Sequence, residues 1–178
     1  VLKNVDYLQT GNFFGNTNKT LSLEGFTMTD TEYTKEYVDW HYHENPYFTF
    51  IIHGGLIEGN RKETFNCSAG SLLFHNWQEP HFNIKPKIYT QGFHLEINQD
   101  WCNDFEVDLK QLPSNLNVQN PQVKILFHNI YKETKLFDKA STVAIETLLL
   151  SVFDELEKKH KLKETKKPDW VRKVDEIL

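Results

Sequence analysis

Two periodicities divide the chain. In roughly its first hundred residues, apolar positions recur in short alternating runs: Leu21, Leu23, Phe26 and Met28 sit among Ser, Thr and Gly at near period-two spacing, as in half-buried strands. Tyr47 to His53 is aromatic and β-branched and stops at Gly54-Gly55. Leu56-Ile57-Glu58 follows and is broken by Gly59-Asn60, a good turn pair. Glu63 to Cys67, Ser71 to His75, His81 to Ile84 and Tyr89 to Ile97 continue the series, separated by Ala69-Gly70, Gln78-Glu79-Pro80 and Lys85-Pro86. Many short strands at this spacing predict a sandwich or barrel.

After about Asn98 the period lengthens. Asn120-Pro121 reads as a cap with proline at the first helical position, and Val123, Leu126, Phe127 and Ile130 then fall at i, i+3, i+4 and i+7. A second, longer stripe runs through Ile145, Leu148, Leu149, Val152, Phe153 and Leu156. It admits two readings: an ordinary helix covering the barrel, or a seam that pairs with the same stripe on a second subunit. Pro168-Asp169 opens a further helical pattern with Trp170, Val171, Val174, Ile177 and Leu178 on one side. A helix that short is marginal alone. It either folds back on the body or begins a unit whose remaining helices lie beyond this chain; the second is expected here.

A length of 178 residues, with 39% hydrophobic and 13% aromatic, suits one packed domain and excludes disorder over most of the chain. Apolar runs such as Phe50-Ile51-Ile52 and Leu148-Leu149-Leu150 are far short of a membrane span. The opening residues lack the pattern of a signal peptide, and Cys67 and Cys102 alone make no disulfide scaffold, so a cytoplasmic protein with reduced thiols is expected. The net charge of −5 hides an asymmetry: residues 1–157 carry 12 Lys+Arg against 21 Asp+Glu, whereas 158–178 carry 8 against 4. An acidic body argues against that body gripping nucleic acid. The lysine run from Lys158 to Lys167 reads as a solvated linker.

Most of the eight histidines lie between His41 and His94, in the strand-rich half. His41 and His43, two apart on a strand, project to one face, and His81 follows a Gly-bounded strand and a turn. Three imidazoles converging inside a barrel can hold Zn, Fe, Ni or Mn. Histidine in strands is also often just hydrogen-bonded.

The stretch Trp40-His41-Tyr42-His43, running to Gly54, resembles the first cupin motif, and Gly70, Ser71 to His75 and Pro80-His81 resemble the second, with the same spacing from Gly70 to His81. Tyr47 stands where the first motif places a glutamate ligand, and Asn76 and Gln78 replace the proline and second glycine of the second motif. A 2-His-1-carboxylate site is therefore missing as written. The order of barrel, paired helices, basic linker and the segment from Pro168 to Val174 resembles AraC/XylS-type transcriptional regulators.

That resemblance implies a mainly β fold with C-terminal helices: a cupin-like β-sandwich or barrel (jelly roll) followed by an antiparallel helix pair. It divides the chain into an effector-binding barrel over residues 1–98, a helical dimerisation segment over 99–157, and a basic linker with the start of a truncated helix-turn-helix domain over 158–178. The implied function is effector sensing and dimerisation, with DNA contacted only through a C-terminal module outside this chain, no membrane partner, no catalysis and no cofactor. His41, His43, Tyr47, Phe74, Trp77 and His81, with nearby Trp40, are expected to line the pocket, and Ile145, Leu148, Leu149, Val152, Phe153 and Leu156 to form the homodimer seam. No metal is expected; His41, His43 and His81 are the ligands if one is bound. The alternative is a metal-dependent cupin enzyme, an oxygenase or isomerase with a three-histidine site.

Overall fold

The computed structural model describes residues 5–165, with side chains placed through Lys158. The pattern at Pro168 to Leu178 lies outside the described residues, as do Lys166 and Lys167; the earlier part of the lysine run, expected as a linker, continues the last helix through Thr165. Among the described residues, eleven strands form two sheets: β1 (Asp6–Leu8), β2 (Asn16–Leu23), β3 (Phe26–Glu32), β4 (Tyr37–His43), β5 (Tyr47–His53), β6 (Gly55–Gly59), β7 (Thr64–Ser68), β8 (Leu72–His75), β9 (His81–Ile84), β10 (Gln91–Ile97) and β11 (Asn115–Asn117). The helices are α1 (Gln99–Asp104), α2 (Pro121–Lys135) and α3 (Ser141–Thr165). One sheet has the order β1-β4-β9-β6-β7 and the other β11-β8-β5-β10-β3-β2, with the parallel pair β1 and β4 the exception among antiparallel ladders.

The result is the expected sandwich with a helix pair, a cupin-like fold in three layers: small sheet, large sheet, helices. The large sheet takes an edge strand from beyond the barrel segment, since Asn115, Leu116 and Asn117 pair with His75, Phe74 and Leu73. Strand alternation then sends neighbouring residues to opposite faces. Phe48, Phe50, Leu72, Phe74, Phe93, Leu95 and Ile97 join Val123, Phe127, Ile130, Ile145, Leu149 and Phe153 in the main apolar core, which lies between the large sheet and the helices. The space between the sheets holds only a small apolar cluster of Ile51, Leu56, Cys67 and Leu73.

The helix signals act as read. Asn120 caps α2, its side chain accepting from the Gln122 backbone N–H, with Pro121 at the first turn. Lys19 Nζ donates to the Thr134 carbonyl at 2.6 Å, satisfying an acceptor in the last turn, and Lys135 pairs with buried Asp30 of β3. In α1, Trp101 Nε1 donates to Glu146 of α3 at 3.2 Å.

The α3 stripe requires a correction. Ile145, Leu149, Val152, Phe153 and Leu156 are all buried within the chain itself, with Leu148 packed against the same cluster. The apolar face of α3 is thus covered within the chain, by α2, by Trp101 of α1 and by the large sheet through Phe48. Pairing through these side chains would require the helix to leave the core.

Candidate functional site

The compartment between the sheets is lined by polar side chains. On the small sheet, a register shift between Val38 and His41 sets His41 directly opposite His81, and His43 follows two residues on. Their rings cluster, with centroids 4.1 Å apart for His41 and His81, 5.6 Å for His41 and His43, and 5.7 Å for His43 and His81. One ring nitrogen from each lies within 4.8 Å of the others, and all three residues are buried. The large sheet contributes Tyr47, Thr49, His75, His94 and Glu96, and β6 adds Glu58.

Hydrogen bonds fix several tautomers. The Nδ1–H of His41 donates to the Asp39 carbonyl (2.8 Å) and that of His81 to the Glu79 carbonyl (3.1 Å), which leaves each Nε2 lone pair free to accept. The Tyr47 hydroxyl donates to His81 Nε2 at 2.9 Å. His75 donates through Nδ1 to Asn115 (2.9 Å), and its Nε2 lies 3.1 Å from Glu58 Oε1, off the line of a hydrogen bond. Thr49 (3.1 Å) and Tyr33 (3.2 Å) flank the two nitrogens of His94. Buried Thr29 Oγ1, Thr31 Oγ1, His43 Nδ1 and Glu96 Oε1 have no protein partner. Unsatisfied groups of this kind call for a partner, because each costs free energy when left unpaired.

Burial keeps the imidazoles neutral. Desolvation pushes His41 down to about 4 and His75 and His94 to about 3. His43 and His81 also lie well below the ordinary range, through burial first and the neighbouring imidazoles second. The same desolvation raises Glu58 to about 8, against the Asn83 hydrogen bond, and Glu96 to about 7. Neutral imidazole is the metal-binding form, and a backbone carbonyl on the far nitrogen is the usual support of a ligating histidine. His41, His43 and His81 therefore suit a divalent transition metal, provided the ion takes the His81 Nε2 lone pair that here accepts from the Tyr47 hydroxyl.

Of the residues expected in the pocket, His41, His43, Tyr47 and His81 come together, whereas Phe74, Trp77 and Trp40 do not. Phe74 packs on Phe48 (4.8 Å between centroids) in the core under the helices, because it shares strand parity with Leu72. Trp77 is 57% exposed on the turn after β8, beside a surface hollow of about 580 Å³ whose lining includes none of the clustered histidines. Trp40 turns to Phe82, ring edge to face at 5.1 Å, on the outer side of the small sheet. Missed were His75, His94, Glu58, Glu96, Thr49 and Phe13. Strict alternation from Tyr47, Phe93 and Leu95 would have pointed to Thr49, His94 and Glu96.

No protein-family model matches the chain, and no curated protein matches it in sequence. No helix among the described residues is long and apolar enough to cross a membrane. Similarity appears among solved structures. Apo ToxT from Vibrio cholerae aligns with a TM-score of 0.61 at 12% identity, covering 84% of this chain and 59% of that one. ToxT bound to (E)-4-(8-methylnaphthalen-1-yl)but-3-enoic acid aligns at 0.52 and 11% identity, covering 76% and 58%. A cupin-2 domain protein from Shewanella frigidimarina aligns at 0.42 and 13%, covering 49% and 84%. The chain therefore spans somewhat over half the length of ToxT and shares that protein's fold across most of its own.

Proposed function

We propose that this chain is the effector-sensing unit of an AraC-type transcriptional regulator, with a small molecule entering the compartment between the sheets and a DNA-binding module outside the chain reading the result. One observation carries the proposal: the apolar core lies under the helices, while the space between the sheets is built from neutral imidazoles, hydroxyls and carboxyls with hydrogen-bonding capacity left over. A compartment of that kind suits a polar or amphipathic ligand. The shared fold with ToxT, one of whose structures holds a naphthyl-substituted butenoic acid, supports a small organic ligand. A ligand can switch such a unit only through different affinity for two states. In this reading the protein is cytoplasmic and not an enzyme. Two copies pair through a surface other than the covered α3 stripe; light scattering at micromolar concentration measures that pairing.

The three-histidine geometry favours a second reading, a metal centre. His41, His43 and His81 would hold the ion, which would supply a Lewis acid with positions open to substrate oxygen. The test strips the protein with chelator, then measures thermal midpoints with Zn, Ni, Mn, Fe and a library of small organic molecules. Binding to the folded state raises the midpoint. A rise with organic molecules in stripped protein supports the sensor. A large loss on stripping, stoichiometric recovery with one metal and abolition of that recovery in His81→Ala would transfer the site to the metal reading.

A further inference from the structure

The segment between β1 and β2 runs Gln9-Thr10-Gly11-Asn12-Phe13-Phe14-Gly15 and places two aromatic rings over the histidines. Phe13 stacks on His94 with centroids 3.7 Å apart and planes 8° apart, and on His43 at 4.6 Å and 29°. Phe14 meets His41 edge-on at 5.0 Å, with Lys35 Nζ 4.6 Å above its ring. The His94 ring cannot turn easily, since Thr49 and Tyr33 hold its two nitrogens; what it offers the compartment is a flat face. Thr29, opposite His94 in the ladder, carries one of the unpaired hydroxyls, and His43 carries an unpaired Nδ1.

The loop's own hydrogen bonds are concentrated before the rings. Thr10 donates from N and Oγ1 to Glu44 (3.0 and 2.8 Å), Gly11 N donates to Glu96, and Asn12 N closes a turn on Gln9. Glycine stands on both sides of the phenylalanines, and both positions require it. Gly11 has φ of +79°, and at Gly15 (φ +142°) a Cβ would lie 2.1 Å from the Glu32 carbonyl oxygen. A stacked ring on a loop bounded by such residues is held by its faces and not by its backbone.

We infer that the Phe13 ring occupies a slot built for the planar ring of a ligand, and that the ligand class is a flat, unsaturated ring, stacked between His94 and His43, carrying a hydrogen-bonding group directed at Thr29. The inference rests on the sensor reading of the same compartment. The imidazole faces of His94 and His43 favour a stacked planar ring, and the spare Thr29 hydroxyl orients its polar substituent. Binding then displaces Phe13, so ligand occupancy is converted into movement of the loop between β1 and β2.

The test compares Phe13→Ala and Phe13→Leu with the unaltered chain, using indole and 2-naphthol as planar probes and cyclohexanol as the saturated control. Expected is at least tenfold tighter binding of the planar probes to Phe13→Ala, no such gain for cyclohexanol, and nuclear Overhauser contacts from bound probe to the His94 and His43 rings. Phe13→Leu, which fills the slot without a ring, guards against a variant that merely unfolds; it should stay folded and bind planar probes weakly. Equal gains for cyclohexanol, or probe contacts elsewhere, would reduce Phe13 to a core side chain and overturn the slot. A small molecule found to bind with the Phe13 stack intact would overturn the slot and leave the sensor reading standing. Planar probes entering Phe13→Ala, with no organic ligand found for the unaltered chain, would reduce the slot to a cavity left by truncation and overturn it together with the sensor reading.

Discussion

The two faces of the six-stranded sheet are made by the same strands and differ in nearly everything else. One face presents Phe48, Phe50, Phe74, Phe93 and Leu95 to α2 and α3, with Phe48 5.0 Å from Phe127 and 5.8 Å from Phe153 by ring centroid. The other presents Tyr47, Thr49, His75, His94 and Glu96 to the small sheet. A sandwich normally hides its apolar residues between its sheets. Here the helices take over that role, and the inter-sheet space is released for polar chemistry.

The harshest way to break this contrast is a charge under the helices. Leu149→Asp places an unpaired carboxylate at a fully buried position, and loss of cooperative folding by circular dichroism and urea titration is expected. A folded variant with altered oligomeric state would restore the α3 stripe as a subunit interface.

Acid attacks the other face. Each of the five compartment histidines titrates lower in the fold than in the unfolded chain, so its contribution is fully present above about pH 6.5 and is lost as pH falls toward the folded value. Glu58 and Glu96 act oppositely: kept neutral by the fold, they contribute below the ordinary carboxyl range and lose that contribution as pH rises toward about 8 and about 7. At about 1.4 kcal/mol per net proton per pH unit, the imidazoles outweigh the carboxyls below pH 6.5. The unfolding free energy from urea titration should therefore peak near neutrality and fall by several kcal/mol between roughly pH 6.5 and 4.5. A flat profile would mean that the compartment is hydrated and its histidines ordinary.

Adjacent residues sharpen the comparison. Phe48→Ala should cost about 3–5 kcal/mol of unfolding free energy, while Thr49→Val, one residue along and on the polar face, should cost about 1 kcal/mol through its hydroxyl at His94. Equal costs would erase the distinction between the faces. The smallest effect belongs to Tyr47→Phe, which removes one hydrogen bond to His81 and should lower stability by about 1 kcal/mol or less, with chemical denaturation as the measure.

The parts of this arrangement that were legible share strong patterning. Strands at Tyr47–His53 and His81–Ile84 have the limits their residues suggested, and the Asn120-Pro121 signal placed α2. β1 and β11 are three residues each, too short to show alternation, and their existence depends on ladders to β4 and β8. For the site, motif spacing led to His41, His43 and His81, but aromatic character misled at Phe74 and Trp77. Leu72-Leu73-Phe74-His75 is a run of large side chains buried on both faces, so polarity alone could not tell that His75 faces the compartment and Phe74 the helices. Phe13 sits in a loop, where no period exists to read.

β10 lies between β3 and β5, paired residue for residue from Gly92 to Glu96 with strands that precede it by more than forty positions. It brings Phe93 and Leu95 to one layer and His94 and Glu96 to the other. Neither layer can be completed until this strand inserts, so both depend on long-range pairing, and folding slow for the length of the chain is expected, with stopped-flow refolding as the measure. During synthesis, the earlier strands wait with their central place vacant until the residues through Ile97 have left the ribosome; until then the open edges of β3 and β5 are exposed to pairing with other chains.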